Sequence, residues 1–362
     1  FSLLFIPFLM FLLICSSLIP FLSLKVSEVV LPIHTGILEW LENNSGFLNI
    51  QWVVGEIDVS FIIVYLVTFC LMMMLWIKQK HAFAFLAGLL SVCVIISFCL
   101  LPYFSSNGRV IMLDVGQGDT FVIELPYRRG VIMIDAAGPP VFTENDAKIA
   151  ENIILPYLKS RGISWLDTII VSHKDTDHSG SVNFLLEELS VENLMISPFD
   201  PLEIGGEKVV RVQGGESVNV AGQTFSILHP MEDSGNANDN SIVVKFSLGG
   251  LDWLFTGDAS VEIEKKLLRK GTDVKADVLK VGHHGSKTST SKEWLENVSP
   301  SFALISAGQD NRYGHPHHEV VEKLSAEGIM FLQTPEHGAV QYDFSNESGT
   351  FSVFVPYNAS RE

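Results

Sequence analysis

Residues 172–180 read SHKDTDHSG, and within them His173, Asp175, Asp177 and His178 fall inside six positions. On an extended chain His173 and Asp175 point the same way. Asp177 and His178 follow at the turn into a helix. Four donors this close fit one ion poorly and two neighbouring ions well. Imidazole favours zinc, iron and manganese, and carboxylate shifts the preference towards harder ions such as manganese. An isolated His-Asp pair is usually a solvated loop, but this string follows an apolar run, LDTIIV. More donors stand further on. Asp258, in LFTGD, ends a strand-like run and can bridge two ions, although it could equally cap the helix of VEIEKKLL. His283 and His284, in VGHHGS, end another run. The pattern does not decide between these two, and His283 lies slightly nearer the strand end.

The elements that must hold these groups are legible as an alternation. GRVIMLDVGQGDTFVIELP gives two β-rich runs broken by GQGD, and GVIMIDAAG is another apolar run ending in a carboxylate. AKIAENIILPYLKSRGI has helical spacing, LDTIIV is a buried strand, and SVNFLLEEL is a helix. A second set follows: strands QTFSILHP, SIVVKFSL and LDWLFTGD, helix VEIEKKLLRK, strand ADVLKV, helix KEWLENV and strand SFALISAG. Helix HHEVVEKLSAEG and strands IMFLQT and AVQYDF complete it. Chemistry placed just past strand ends predicts an α/β fold with two sheets covered by helices.

The chain has 362 residues, a length that allows two units, and a mean hydropathy of +0.30. It begins with Phe, which suggests a piece of a longer or processed protein. Residues 1–107 hold three of its 24 Lys and Arg and five of its 41 Asp and Glu. That leaves 21 basic and 36 acidic residues afterwards, a net charge of −15. The four cysteines, Cys15, Cys70, Cys93 and Cys99, all lie in the apolar front, so the back can hold neither a disulfide nor a Cys-based zinc site. Residues 1–24, 59–77 and 82–101 carry no charged residue and each approaches the roughly 20 residues that span a bilayer. They predict three transmembrane helices within 1–104, with an interfacial helix or helical loop near 29–43. The turn KQKH at 78–81 votes for a cytoplasmic location and Lys25 weakly opposes it, so the chain after 102 is expected outside the cytoplasm.

In their order along the chain, HKDTDHSG, TGD and GHHGS resemble the metallo-β-lactamase fold. MLDVGQGDTFVI, NDNSIVV, LFTGD, LKVGHHGSKTS and NRYGHPHHEVV together resemble the extracytoplasmic nuclease-like domain of the competence protein ComEC family. The likeness runs over about 108–356, and the preceding spans resemble the end of that family's channel-forming region. It implies an αββα sandwich behind transmembrane helices and a role in DNA uptake during natural transformation. One strand would pass through the channel while the hydrolase domain degrades the other outside, alongside other uptake-machinery proteins. Carried over by position, His173 and Asp175 match the first metal's ligands and Asp177 and His178 the second's. Asp258 matches the bridging carboxylate, and one of His283 and His284 the last imidazole. Two divalent ions are implied, Mn2+ or Zn2+. The wider superfamily usually has His where Asp175 stands, and its separate third His is missing. Asn238, Asp239, Asn240 or His229 could stand in, and the lower imidazole content favours manganese.

Phosphodiester hydrolysis needs a strong nucleophile and neutralised phosphoryl oxygens, and a pair of cations supplies both. On this reading Asp177 also orients water, and one of His315, His317 and His318 gives the leaving oxygen its proton. The same His run could equally be a surface feature before a helix. Lys287 and the hydroxyls of GSKTSTS could hold a phosphate, or form a plain polar loop. Asp114, Gln117 and Asp119, in DVGQGD, could support the site from a neighbouring turn. The acidic balance argues against strong DNA affinity, so binding should be weak, metal-dependent and sequence-independent. Two rivals follow from the same residues: a hydrolase of a small ester, lactam or phosphorylcholine, and a non-catalytic gating or DNA-binding module.

Overall fold

The computed structural model describes residues 53, 55–139, 147–199 and 208–354. The span expected at 1–24 and the interfacial helix near 29–43 lie outside the described residues. The other two expected spans form helices α1 (Val59–Ile77) and α2 (His81–Phe104). Their 19 and 24 residues give lengths of about 28 and 36 Å at the α-helical rise, enough to cross a membrane. Helix α2 is longer than expected and runs two residues past Pro102. Small residues let the pair approach. Ala84 and Ala87 are buried, and a Cβ added at Gly88 would lie 3.0 Å from the Met72 sulfur. Ser91 donates across the pair to Thr68 Oγ1 at 2.9 Å. The outward Val, Ile, Leu and Phe side chains are exposed, as a lipid-facing surface requires.

Fifteen strands follow in two sheets. The first contains β1 (Asn107–Met112), β2 (Phe121–Glu124), β3 (Val131–Ile134), β4 (Trp165–Ile170), β5 (Ser190–Ile196) and β6 (Val209–Arg211). The second contains β7 (Ser217–Val220), β8 (Gln223–His229), β9 (Val243–Leu248), β10 (Leu251–Phe255), β11 (Val278–Lys280), β12 (Phe302–Ile305) and β13 (Met330–Gln333). Strands β14 (Ala339–Ser345) and β15 (Ser348–Phe354) return to the first sheet, whose order is β15-β14-β1-β2-β3-β4-β5-β6. The second runs β13-β12-β11-β10-β9-β8-β7. Strands β3 to β6 are parallel, as are β10 to β13, and the remaining pairs are antiparallel.

Parallel strands covered on both faces need apolar side chains on both faces. Strands β2, β3 and β11 are buried at every position. The inter-sheet core centres on Phe121, Phe225, Phe246, Trp253, Phe255 and Tyr342, with Phe121 and Phe255 edge to face at 4.6 Å. Ile154 and Leu158, beside helix α3 (Leu155–Ser160), and Val182 and Leu185, on α4 (Val182–Glu188), cover the outside of the first sheet. Helices α5 (Val261–Arg269), α6 (Lys292–Val298) and α7 (His318–Ala326) cover the second with Ile263, Leu267, Trp294, Leu295, Val320 and Leu324. The expected αββα sandwich is present. Strands β5, β6, β7 and β15 were not foreseen. β6 and β7 have only three and four residues, and β5 interrupts its apolar pattern with Glu192 and Asn193.

Candidate metal centre

The loops leaving the carboxyl ends of β3, β4, β10, β11 and β12 meet at one end of the sandwich, where open α/β sheets place their ligands. After β4 the chain delivers His173. Asp175 then opens a single helical turn, Thr176–Ser179, its carbonyl accepting from the backbone N–H of His178 and of Ser179 at 2.9 Å each. The Gly116–Asp119 turn locks onto this one, with Asp119 N–H donating to the Asp177 carbonyl at 2.9 Å. Gly118 makes the approach possible. It sits at φ +138°, and a Cβ there would lie 2.5 Å from the Asp177 carbonyl oxygen.

Three buried imidazoles turn their Nε2 atoms inward, and their outer partners fix the tautomers. Asp135 accepts from the Ser172 N–H at 2.6 Å and its hydroxyl at 2.9 Å, and from His178 Nδ1 at 2.8 Å. His173 Nδ1 lies 3.1 Å from the Ser172 hydroxyl, whose own proton goes to Asp135. His284 Nδ1 donates to the Ser306 carbonyl at 3.0 Å. Each Nδ1 therefore carries a proton, and each neutral ring presents a bare lone pair at Nε2. Yet His178 Nε2 and His284 Nε2 face one another at 3.2 Å. Two lone pairs at that distance repel unless a proton or a cation sits between them.

Asp258, at the end of β10, sits under these rings. Its Oδ1 is 3.1 Å from His178 Nε2 and its Oδ2 3.7 Å from His284 Nε2. Asp177 Oδ2 is 3.4 Å from His284 Nε2, and Asp175 Oδ2 is 3.7 Å from His173 Nε2. His173 Nε2, Asp258 Oδ1 and Asp119 Oδ1 are buried without a hydrogen-bond partner, the 3.1 Å approach to Asp258 being misaligned for one. Two trios of donors, His173/His178/Asp258 and Asp119/His178/His284, each gather within 4.8 Å. Buried, orphaned, converging O and N donors fit divalent cations.

The electrostatics agree. Burial by itself would lower both imidazoles, but facing carboxylates outweigh it: Asp258 and Asp135 raise His178 well above its ordinary value, and Asp258 and Asp119 raise His284 to about 9. Burial likewise works against Asp177, but His284 and His178 pull it down to about 2. Asp258 is held well below the ordinary carboxylate range, its burial outweighed by His178 and His284.

Lys280 ends β11 inside this cluster with 1% exposure. Its ammonium contacts Asp119 Oδ2 directly and stands 3.9 Å from Asp258 Oδ1. Against the cost of burial, the same pair keeps Asp119 ionised and Lys280 charged. The sequence reading gave Lys280 and Asp135 no role. The signals were there: a lysine within an otherwise apolar buried strand, and a carboxylate closing GVIMIDAAG.

A cavity of about 1050 Å³ opens over the cluster, lined in part by Asp175, Asp177, Asp258, His283, His284 and His315. The two adjacent histidines differ. Both have left-handed φ, 49° for His283 and 54° for His284, a conformation that costs energy in a non-glycine residue and here aims the rings differently. His284 is buried with Nε2 in the cluster, whereas the His283 side chain is 28% exposed and its Nε2 is 3.6 Å from Asp258 Oδ2. The geometry thus favours His284, reversing the slight preference for His283. Lys287 is exposed and does not line the cavity, so its expected phosphate contact lacks structural support. His315 does line it, its ring 5.7 Å from His283. Burial and then the neighbouring His283 and His284 lower its pKa to about 4, leaving a neutral ring at neutral pH rather than a proton-loaded acid. His317 caps α7 and His318 is exposed on that helix. Of the stand-ins for a third histidine, Asn238 alone lines the cavity. His229 Nε2 bonds the Asp239 carbonyl, Asp239 accepts from Asn236 and Ser260, and Asn240 is engaged by Ser234, Phe199 and Asp233.

This fold and site define a class: residues 113–309, over half of the chain, match the metallo-beta-lactamase superfamily, and the chain belongs to it. Members of that superfamily are metal-dependent hydrolases. The curated relatives narrow the class to competence proteins of the ComEC family. ComE operon protein 3 of Bacillus subtilis (strain 168) is 34% identical, over 83% of this chain and 41% of its own length. Competence protein ComA of Neisseria gonorrhoeae is 31% identical, over 66% and 32%. Recombination protein 2 of Haemophilus influenzae is 34% identical, over 65% and 29%. The chain spans less than half the length of these relatives. Their family and the two apolar helices are in keeping with membrane association.

Proposed function

We propose that this chain is the hydrolase-bearing part of a DNA-uptake protein, cutting phosphodiester bonds of the strand that is not transported. The observation that carries the reading is the facing pair of Nε2 lone pairs above Asp258, at the floor of an open cavity. In this reading His173, Asp175 and Asp258 hold one divalent ion, and Asp177, His178, His284 and Asp258 a second, Mn2+ or Zn2+. Bound there, such ions supply Lewis acidity, withdrawing charge from phosphoryl oxygens and acidifying water.

The chain's own residues do the rest. Asp135, Ser172 and Ser306 fix the ring tautomers, and Lys280 holds Asp119 ionised behind His284. Asp177 orients the attacking water from the cavity wall. His315, neutral at neutral pH, accepts a proton or a hydrogen bond at the cavity edge. The membrane part occupies 1–104 and the hydrolase domain 108–356, with Lys78–Lys80 cytoplasmic and the domain outside, next to other uptake proteins.

The test is to incubate the purified chain with Mn2+ and labelled single-stranded DNA. Cleavage that disappears in Asp258→Ala supports the reading, and no cleavage with Mn2+, Zn2+ or Mg2+ defeats it.

A further inference from the structure

The acidic balance of the domain conflicts with a nucleic-acid substrate only if its charge is evenly spread. It is not. Among the described residues lining the cavity, the charged ones are Asp175, Asp177 and Asp258 at the cluster and Lys148, Lys174 and Arg312 around it. Every lining charge outside the proposed metal centre is therefore positive, in a domain whose net charge is −15.

The wall bearing Arg312 is built, not loose. Asn311 pins a turn from both ends: its Nδ2 donates to the Gly308 carbonyl at 2.7 Å, and its Oδ1 accepts from Tyr313 N–H at 3.1 Å and His315 N–H at 3.0 Å. This turn presents Arg312 over the Tyr313 ring, 4.7 Å from its centroid, with that ring 52% exposed. The rings then step inward. Tyr313 and His315 lie 5.7 Å apart at 22°, and His315 and His284 6.5 Å apart at 27°. An aromatic file thus leads from solvent to the proposed metal centre.

Resting on the hydrolase reading above, we propose that this rim is a single-strand clamp. Lys148, Lys174 and Arg312 hold phosphates flanking the one to be cut, and Tyr313 offers its ring to an unpaired base. Phosphate contacts of this kind position a strand without reading its sequence. Base-on-ring stacking needs bases free of a partner, which a single strand offers and a duplex does not. The clamp is a set of positioning residues and leaves the chemistry to the floor.

The test uses the full 362-residue chain in detergent. Fluorescein-labelled (dT)12 and a duplex of equal length are titrated by anisotropy at several salt concentrations. The triple variant Lys148→Ala/Lys174→Ala/Arg312→Ala should bind (dT)12 at least about tenfold more weakly at low salt. Its log–log salt slope should fall by about 2, near 0.7 per lost phosphate contact on a single strand. Tyr313→Ala should weaken (dT)12 binding about 5- to 150-fold with little change in slope, and Tyr313→Phe should restore it. Duplex binding should be weaker and indifferent to Tyr313→Ala. Unchanged affinity and slope in the triple variant, duplex binding as tight as single-strand binding, or no (dT)12 binding by the unaltered chain would each overturn the clamp. Mn2+-dependent hydrolysis of bis(p-nitrophenyl) phosphate by the unaltered chain separates the two ideas. Strand binding that responds to rim substitution without ester hydrolysis sinks the hydrolase reading and leaves the clamp. Hydrolysis with an unresponsive rim sinks the clamp alone.

Discussion

A lysine buried beside carboxylates is tolerated only while its partners stay in place. Lys280→Met would leave Asp119 ionised and uncompensated at 1% exposure, costing about 3–5 kcal/mol, the scale for breaking one half of a buried ion pair. Denaturant melts of the metal-free protein check this, and a loss below about 1 kcal/mol would contradict it. His284→Ala should weaken Mn2+ binding by more than about 100-fold, beyond the usual range for outer partners, and His283→Ala by about tenfold or less. Calorimetric titration separates them, and equal losses would reject the assignment. The raised pKa of His284, about 9 against an ordinary 6.5, has two consequences of opposite sign. Ions must displace a proton, so Mn2+ affinity falls about tenfold per pH unit going down from 8 to 6. The metal-free protein instead has this histidine's contribution in full below 6.5 and loses it as pH rises towards 9. Melting curves with and without EDTA should move in opposite directions over that window. At this scale the ligand types were readable because metal chemistry restricts them to few residues. Which of two adjacent histidines points inward was not, because left-handed backbone at both sets it, and no residue type announces that.

The elements were largely legible where burial is two-sided. IIV before SHKD, WLF before TGD and VLK before VGHHG are apolar runs that a covered parallel strand demands. The turns between elements carry what spacing could not show. Gly118 is the clearest case, since it admits the Asp119 N–H to the carbonyl of Asp177. Gly118→Ala should push these two turns apart, destabilise the protein by about 1–3 kcal/mol and weaken Mn2+ binding together with it. Wild-type stability and metal affinity in that variant would show that the turns tolerate the methyl group. In the helix pair, Ser91→Ala should cost only about 0.6 kcal/mol, the average for hydrogen bonds between helices in lipid. A loss of several kcal/mol in a bicelle unfolding assay would contradict that.

For the whole molecule, charge rather than fold was the misleading bulk property. A net −15 beyond residue 107 describes the outside of the domain and not its cavity. The donors come from loops of both sheets, spread from Asp119 to His284, and this has a consequence for how the protein is made. As the chain is synthesised, His173 and His178 emerge some eighty residues before Asp258. They can grip nothing firmly until the later strands have docked against the earlier ones. Ion capture is therefore one of the last steps of maturation, and the ion is drawn from whichever compartment the second sheet folds in.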